Sequence, residues 1–284
     1  MTEVRLSAGG TGAGETSAVI HPGYGCLISS FAVGGVELLY RRDGARSSLP
    51  APGPPGRRSE RDFDDGIFRG GWFPMFPLAG TPDEDTWQHG WAPRVAWRVE
   101  QEQAARLTTS VSGDFLDGGG ATVARDIRVE PGTLTVTTSI TNRSDGVRSY
   151  TFGEHPCFPR ALFGGGAIVS PRTLPLTARA DGWTGHAQWT TPSLTVVAPR
   201  GRPTVTIEAE GLPFGVLWSS FASEELEDVD CFAWEPCTSR GLGIVDARAS
   251  ESVTRIGSGE TQRYRVRIEQ RRDAASMMGS KEER

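Results

Sequence analysis

Three ionisable residues have unusual neighbours: His89 in Gln88-His89-Gly90-Trp91, His155 in Gly153-Glu154-His155-Pro156-Cys157-Phe158, and Glu235 in Trp234-Glu235-Pro236-Cys237. Histidine changes charge near neutral pH, and a partly buried glutamate can stay a working base. With His155 protonated on one side of a substrate and Glu235 ionised on the other, one proton could be removed and another delivered without redox change. Opening a cyclic hemiacetal requires that. The base takes the proton of the anomeric hydroxyl and the acid protonates the ring oxygen. The exposed aldehyde rotates about C1–C2, and the ring closes on its other face. This chemistry calls for no cofactor and no metal.

The stretch over residues 68–94 carries two more candidates. It combines Gly70-Gly71, repeated prolines, several aromatics, Arg69 and Arg94 near its ends, and His89. It alternates like no core strand, and its prolines exclude a helix. Paired glycines let backbone approach something closely. Polar groups among large apolar ones suit a lined pocket. They suit equally a buried loop whose Arg and His satisfy nearby carbonyls, and the stretch alone does not separate the two readings. Trp72, Phe76, Trp87, Trp91, Phe158 and Trp234 crowd these segments, and a sugar's C–H face packs well on such rings.

The residue before a proline is driven to extended backbone, so His155 and Glu235 should project from strand ends. Strands are the commonest pattern elsewhere. Residues 104–111, 121–129, 134–141 and 262–269 are the clearest. In the third, Leu134, Val136 and Ile140 alternate with Thr135, Thr137 and Ser139, putting the apolar set on one face. In the last, Tyr264, Val266 and Ile268 alternate with Arg263, Arg265 and Arg267. Helical patterns are nearly absent, apart from a possible helical turn in the acidic residues 223–230. Many short strands with Gly, Pro and Asn turns predict an antiparallel sandwich or barrel. Residues 1–270 read as one all-β domain. Residues 41–65, rich in Pro, Gly, Arg and Ser, read as a long surface loop that could cover the pocket. Residues 271–284 read as a polar disordered tail.

Net charge is −5 over 284 residues. Such mild acidity gives no reason to expect nucleic acid or a membrane surface as partner. No apolar run approaches the roughly 20 residues that span a bilayer. Met1-Thr2-Glu3-Val4-Arg5 lacks the features of a signal peptide, so a cytoplasmic protein is expected. Cys26, Cys157, Cys231 and Cys237 form no CxxC pair and read as packed free thiols rather than zinc ligands.

The ordered set of motifs resembles the aldose 1-epimerase (galactose mutarotase-like) family. Residues 23–31 with Glu37-Leu38-Leu39 look like its opening strands. Gln88-His89-Gly90, His155-Pro156-Cys157-Phe158 and Trp234-Glu235-Pro236 look like its three site segments. The likeness runs over residues 17–269. It implies an antiparallel β-supersandwich, with Glu235 as base, His155 as acid, and His89 hydrogen-bonded to an aldose or sugar phosphate. Arg69 resembles the arginine of the hexose-6-phosphate epimerase branch. Where that family carries an arginine after His-Gly, this chain has Pro93, with Arg94 one residue on. The resemblance makes Trp91, Arg94 and Asp181 further substrate contacts. It implies a small sugar as partner, no metal, and a monomer or homodimer. A non-catalytic carbohydrate-binding protein of the same fold is the alternative. A two-carboxylate glycosidase would need Glu154 beside His155, and adjacent strand residues point to opposite faces.

Overall fold

The computed structural model describes residues 3–9, 14–42, 49, 54–163, 166–170, 174–175, 184–199, 203–223 and 226–271. Asp181 and the tail beyond Arg271 lie outside the described residues. In chain order the first elements are β1 (Val4–Ala8), β2 (Thr16–His21), β3 (Leu27–Val33), β4 (Val36–Glu37), α1 (Arg58–Gly66) and β5 (Trp72–Met75). Then come β6 (Arg98–Gln103), β7 (Arg106–Asp114), β8 (Gly120–Glu130), β9 (Thr133–Asn142), β10 (Arg148–Tyr150), β11 (Gly153–Pro159) and α2 (Arg160–Phe163). The last third holds β12 (Ala167–Ser170), β13 (Leu174–Pro175), β14 (Thr184–Trp189), β15 (Leu194–Val197), β16 (Thr204–Glu210), β17 (Phe214–Ser223), β18 (Leu226–Cys237), α3 (Ile244–Ala249), β19 (Thr254–Ile256) and β20 (Thr261–Arg271).

Two nine-stranded antiparallel sheets dominate. The first runs β1-β2-β3-β5-β11-β18-β17-β14, with β4 beside β3. The second runs β13-β12-β15-β16-β20-β9-β8-β7-β6. The sheets form a sandwich and not a closed barrel. The alternation read in β9 and β20 is observed. Leu134, Val136, Ile140, Val266 and Ile268 are buried between the sheets, and Thr135, Thr137 and Ser139 face outward.

The first sheet is buried on both faces, and period two divides its side chains. Trp72, Phe158, Phe232 and Trp234 join the inter-sheet core. Their neighbours Phe73, Cys157, Cys231 and Ala233 form a second apolar cluster on the far face. Glu154 and His155 divide in the same way. The Glu154 carboxylate points between the sheets and accepts from Arg125 Nη2 (2.8 Å), Trp72 Nε1 (2.8 Å) and Thr138 Oγ1 (2.7 Å). Arg125, on β8, also donates to the Cys26 carbonyl at 2.8 Å. His155 lies on the far face. The glycosidase pairing is therefore geometrically closed.

Two expectations are corrected. Residues 41–65 are not all loop, because α1 occupies the last third of that stretch. Its only buried residues are Ser59 and Phe63, one turn apart, so its apolar stripe is a single ring wide. The acidic residues 223–230 are not a helical turn. Those described belong to β17 and β18, which pair as a hairpin.

Arg125→Met leaves the Glu154 charge buried without its counter-ion. Unfolding in urea should show a loss of about 3–5 kcal/mol. Arg125→Met combined with Glu154→Gln should recover a good part of it. An unchanged midpoint for the single variant would mean that the pair contributes nothing.

Candidate active site

A cavity of about 680 Å³ opens on the far face of the first sheet. Three adjacent strands supply its floor. His155 comes from β11, Met75 from β5, and Glu235 and Cys237 from β18. On β17, Val216 is the register partner of Glu235, and Trp218 lies two residues further on the same face. The loops add Gln88, His89, Gly80 and Thr81, and α1 forms part of the rim. Both His155 and Glu235 sit inside strands and not at their ends. The proline after each limits the local ladder without terminating it.

His155 Nε2 lies 3.3 Å from Glu235 Oε1, with the residues 3% and 7% exposed. The imidazole is stacked on Phe73, centroids 4.5 Å apart and planes 16° from parallel. Its Nδ1 is 3.2 Å from Cys157 Sγ. The His89 ring stands edge-on to it at 5.2 Å. Burial pushes the Glu235 carboxyl up to about 8 and the His155 imidazole down to about 3. The cause is shared: an apolar wall disfavours whichever form carries charge. Both shifts favour the neutral forms, a carboxyl that keeps its proton and an imidazole without a second one. His89 is held well below its ordinary value by burial, then by His155 and Arg94.

His89 is held from several directions. Its backbone takes a positive φ of 59°, and its N–H donates to the Gly80 carbonyl. Gly90 follows at φ 71°, where a Cβ would lie 2.2 Å from the Phe76 carbonyl oxygen, so only glycine fits. Its Nε2 is 3.2 Å from the Gln88 amide nitrogen. The Phe63 ring of α1 packs on it at 4.9 Å.

The arginines and Trp91 depart from expectation. Arg94 is buried and donates to the carbonyls of Gly90, Gln88 and Ser59. Its guanidinium also lies 5.3 Å from the Phe63 centroid, and burial lowers its pKa to about 10. It ties α1 to the His89 loop and does not line the cavity. Arg69 donates to the carbonyls of Phe68 and Gly66, closing the end of α1, and it too stands outside the cavity. Trp91 packs on Phe76 and donates to the Asp114 carbonyl, on the inter-sheet side. Packing around the pocket accounts for all three.

The sequence reading passed over Gln88, His186, Trp218 and the charged residues of α1, all of which line the cavity. Strand parity could have found Trp218, two residues from the partner of Glu235. Nothing local marks His186, whose strand β14 reaches the site only through its pairing with β17. Among the described residues, no group of three or more His, Cys, Asp or Glu could hold a metal ion, and no helix is long and apolar enough to cross a membrane.

This sandwich with a cavity on its first sheet has the galactose mutarotase-like fold. It is similar to a galactose mutarotase related enzyme from Lactobacillus acidophilus, with TM-score 0.64 and 12% identity over 95% of this chain and 98% of that one. A galactose mutarotase-like protein from Lactobacillus casei gives 0.64 and 14%, covering 95% of this chain and all of that one. A protein proposed as an aldose 1-epimerase from Klebsiella pneumoniae gives 0.71 and 15%, over 92% and 78%. No protein-family model and no curated protein matches the sequence. At such identities the likeness establishes the fold.

The raised Glu235 pKa sets a sign for stability. The folded state keeps a proton that the unfolded chain releases above about 4.5, so stability is full below that value and falls as pH rises toward 8. Glu235→Gln removes the titration. Relative to wild type the variant should gain on the order of 3 kcal/mol between pH 5 and pH 8.5, read by chemical denaturation. A pH-independent difference would show that Glu235 ionises normally.

Proposed function

We propose that the protein is an aldose 1-epimerase, interconverting the α and β anomers of an uncharged aldose. The observation that carries this reading is the His155–Glu235 contact at 3.3 Å on the cavity floor, where burial raises the carboxyl and lowers the imidazole. Ring opening needs one acid and one base together, and such a pair supplies both. Transfer of the Glu235 proton to His155 Nε2 gives a carboxylate and an imidazolium. Hydrogen bonds from sugar hydroxyls to the carboxylate favour this form. The carboxylate then takes the proton from O1 as the C1–O1 bond gains double-bond character. The C1–O5 bond breaks, and the imidazolium gives its Nε2 proton to O5. Rotation about C1–C2 and the reverse steps yield the other anomer, with the pair back in its starting state.

His89, Gln88, Thr81, His186 and Ser239 are polar lining residues for further hydroxyls, and Trp218 and Phe68 offer rings for the C–H face. The charge pattern argues against a phosphate. Arg69 and Arg94 are committed to backbone carbonyls. On the rim, Arg57 and Arg61 pair with Glu84 and Asp65, and Glu60 and Asp64 add negative charge. Among the described residues, each arginine of the lining is thus already paired with a carboxylate, which disfavours an anionic sugar. All four cysteines are free and buried, which suits a cytoplasmic setting.

Anomer exchange followed by NMR tests the proposal, with glucose, galactose and a hexose 6-phosphate as substrates. Wild type should accelerate a free sugar. Glu235→Gln and His155→Asn should each lose about 10²–10⁴-fold. The rate should fall about tenfold per pH unit above pH 8, where Glu235 loses its proton. Saturable sugar binding without acceleration by wild type would leave a carbohydrate-binding protein instead.

A further inference from the structure

Cys157 is the group behind His155 that the reaction as written does not use. Its Sγ is 3.2 Å from His155 Nδ1 and 3.9 Å from the His155 carbonyl oxygen, and it also hydrogen-bonds the Cys231 side chain. It is fully buried, and burial raises its pKa well above the ordinary thiol value, so it keeps its proton. Cys231 lies beside it on β18, two residues along from its register partner Ala233. Among the described residues, the partner of Nδ1 is the Cys157 sulfur and not a carboxylate.

The protons of this group can be assigned. Burial favours a protonated Glu235 carboxyl and a neutral His155 imidazole. If the imidazole carried its proton on Nε2, that N–H would take the carbonyl oxygen of the Glu235 carboxyl and leave the carboxyl O–H, the stronger donor, turned away from the ring. The Cys157 S–H would then have to leave the carbonyl for Nδ1. If the ring proton is on Nδ1, every group has a partner. Glu235 O–H donates to Nε2, Nδ1–H donates to Sγ, and S–H donates to the His155 carbonyl. In a neutral imidazole, the hydrogen bond made by one nitrogen decides the state of the other.

We propose that Cys157 is a positioning residue, whose sulfur accepts the Nδ1–H of His155 and so keeps Nε2 free to receive the proton of Glu235. The step is balanced: the Glu235 O–H bond breaks, the Nε2–H bond forms, and a carboxylate and an imidazolium result. Sulfur is a weak acceptor. It orients the ring without stabilising the imidazolium as a carboxylate would, and the imidazolium stays a strong acid for the ring oxygen. The assignment of this role rests on the epimerase reading; the tautomer does not.

The test is the ¹⁵N chemical shifts of the imidazole nitrogens in histidine-labelled protein at pH 7, with His155 assigned by comparison with His155→Asn. Wild type should show a protonated Nδ1 and an unprotonated Nε2. Cys157→Ser, which keeps an acceptor, should preserve this pattern. Cys157→Ala should shift His155 toward the Nε2–H tautomer. It should also lower kcat about 10- to 100-fold with KM unchanged, less than the roughly 10⁴-fold cost of a wrong tautomer in a Ser-His-Asp triad. Cys157→Ser should stay within a few-fold of wild type. A wild-type His155 protonated at Nε2 overturns the proposal, whether or not the variants fold. A Cys157→Ala protein with unaltered tautomer and kcat overturns it as well. The predicted tautomer without anomer exchange would leave the hydrogen bond standing and remove only the epimerase reading.

Discussion

The Arg125–Glu154 ion pair is the constraint on which the two sheets and the site both depend. It is buried at the centre of the sandwich and joins β8 of one sheet to β11 of the other. Removing two charges from water costs several kcal/mol each, and it is tolerated only when both are well hydrogen-bonded. Here Trp72, Thr138 and the Cys26 carbonyl complete the set. Glu154 shares the inter-sheet face of β11 with Phe158, and strand geometry then sends His155 to the other. One buried pair thus fixes the register of the strand that carries the central imidazole.

The same parity organises the whole floor. Phe73, His155, Cys157, Ala233, Glu235 and Trp218 come from four strands and face one way because each lies an even number of residues from its neighbours on that face. Burial of that face does the electrostatic work. It raises the glutamate and lowers the histidine, so that a pair with ordinary values of 4.5 and 6.5 comes to favour the neutral form of both groups.

This explains what was legible in the sequence. Alternation exposed the long strands, because β9 and β20 have one polar and one apolar face. His155, Glu235 and His89 were legible as polar residues inside apolar, proline- and glycine-marked segments. Arg69, Trp91 and Arg94 looked the same by that criterion, yet their hydrogen bonds go to backbone carbonyls. A sequence shows that a polar group sits among apolar neighbours, and not whether a carbonyl waits for it. The helix α1 was hidden for a different reason. Its docking relies on one phenyl ring, the Ser59 hydroxyl that accepts from the Gln88 N–H, and a carbonyl that receives Arg94, none of which leaves a periodic trace.

The first sheet has a further consequence, since it is covered on both faces. Strands β5, β11 and β18 are packed on the inter-sheet core below and flanked by the second apolar cluster around the cavity floor above. Their amides should be among the last in the molecule to exchange with solvent. The rim is built differently, from a charged nine-residue helix tied down by Phe63, Ser59 and the Arg94 staple. Slow breathing is thereby confined to the entrance. The cavity entrance and the buried His155–Glu235 pair thus belong to parts of the molecule that open on different timescales.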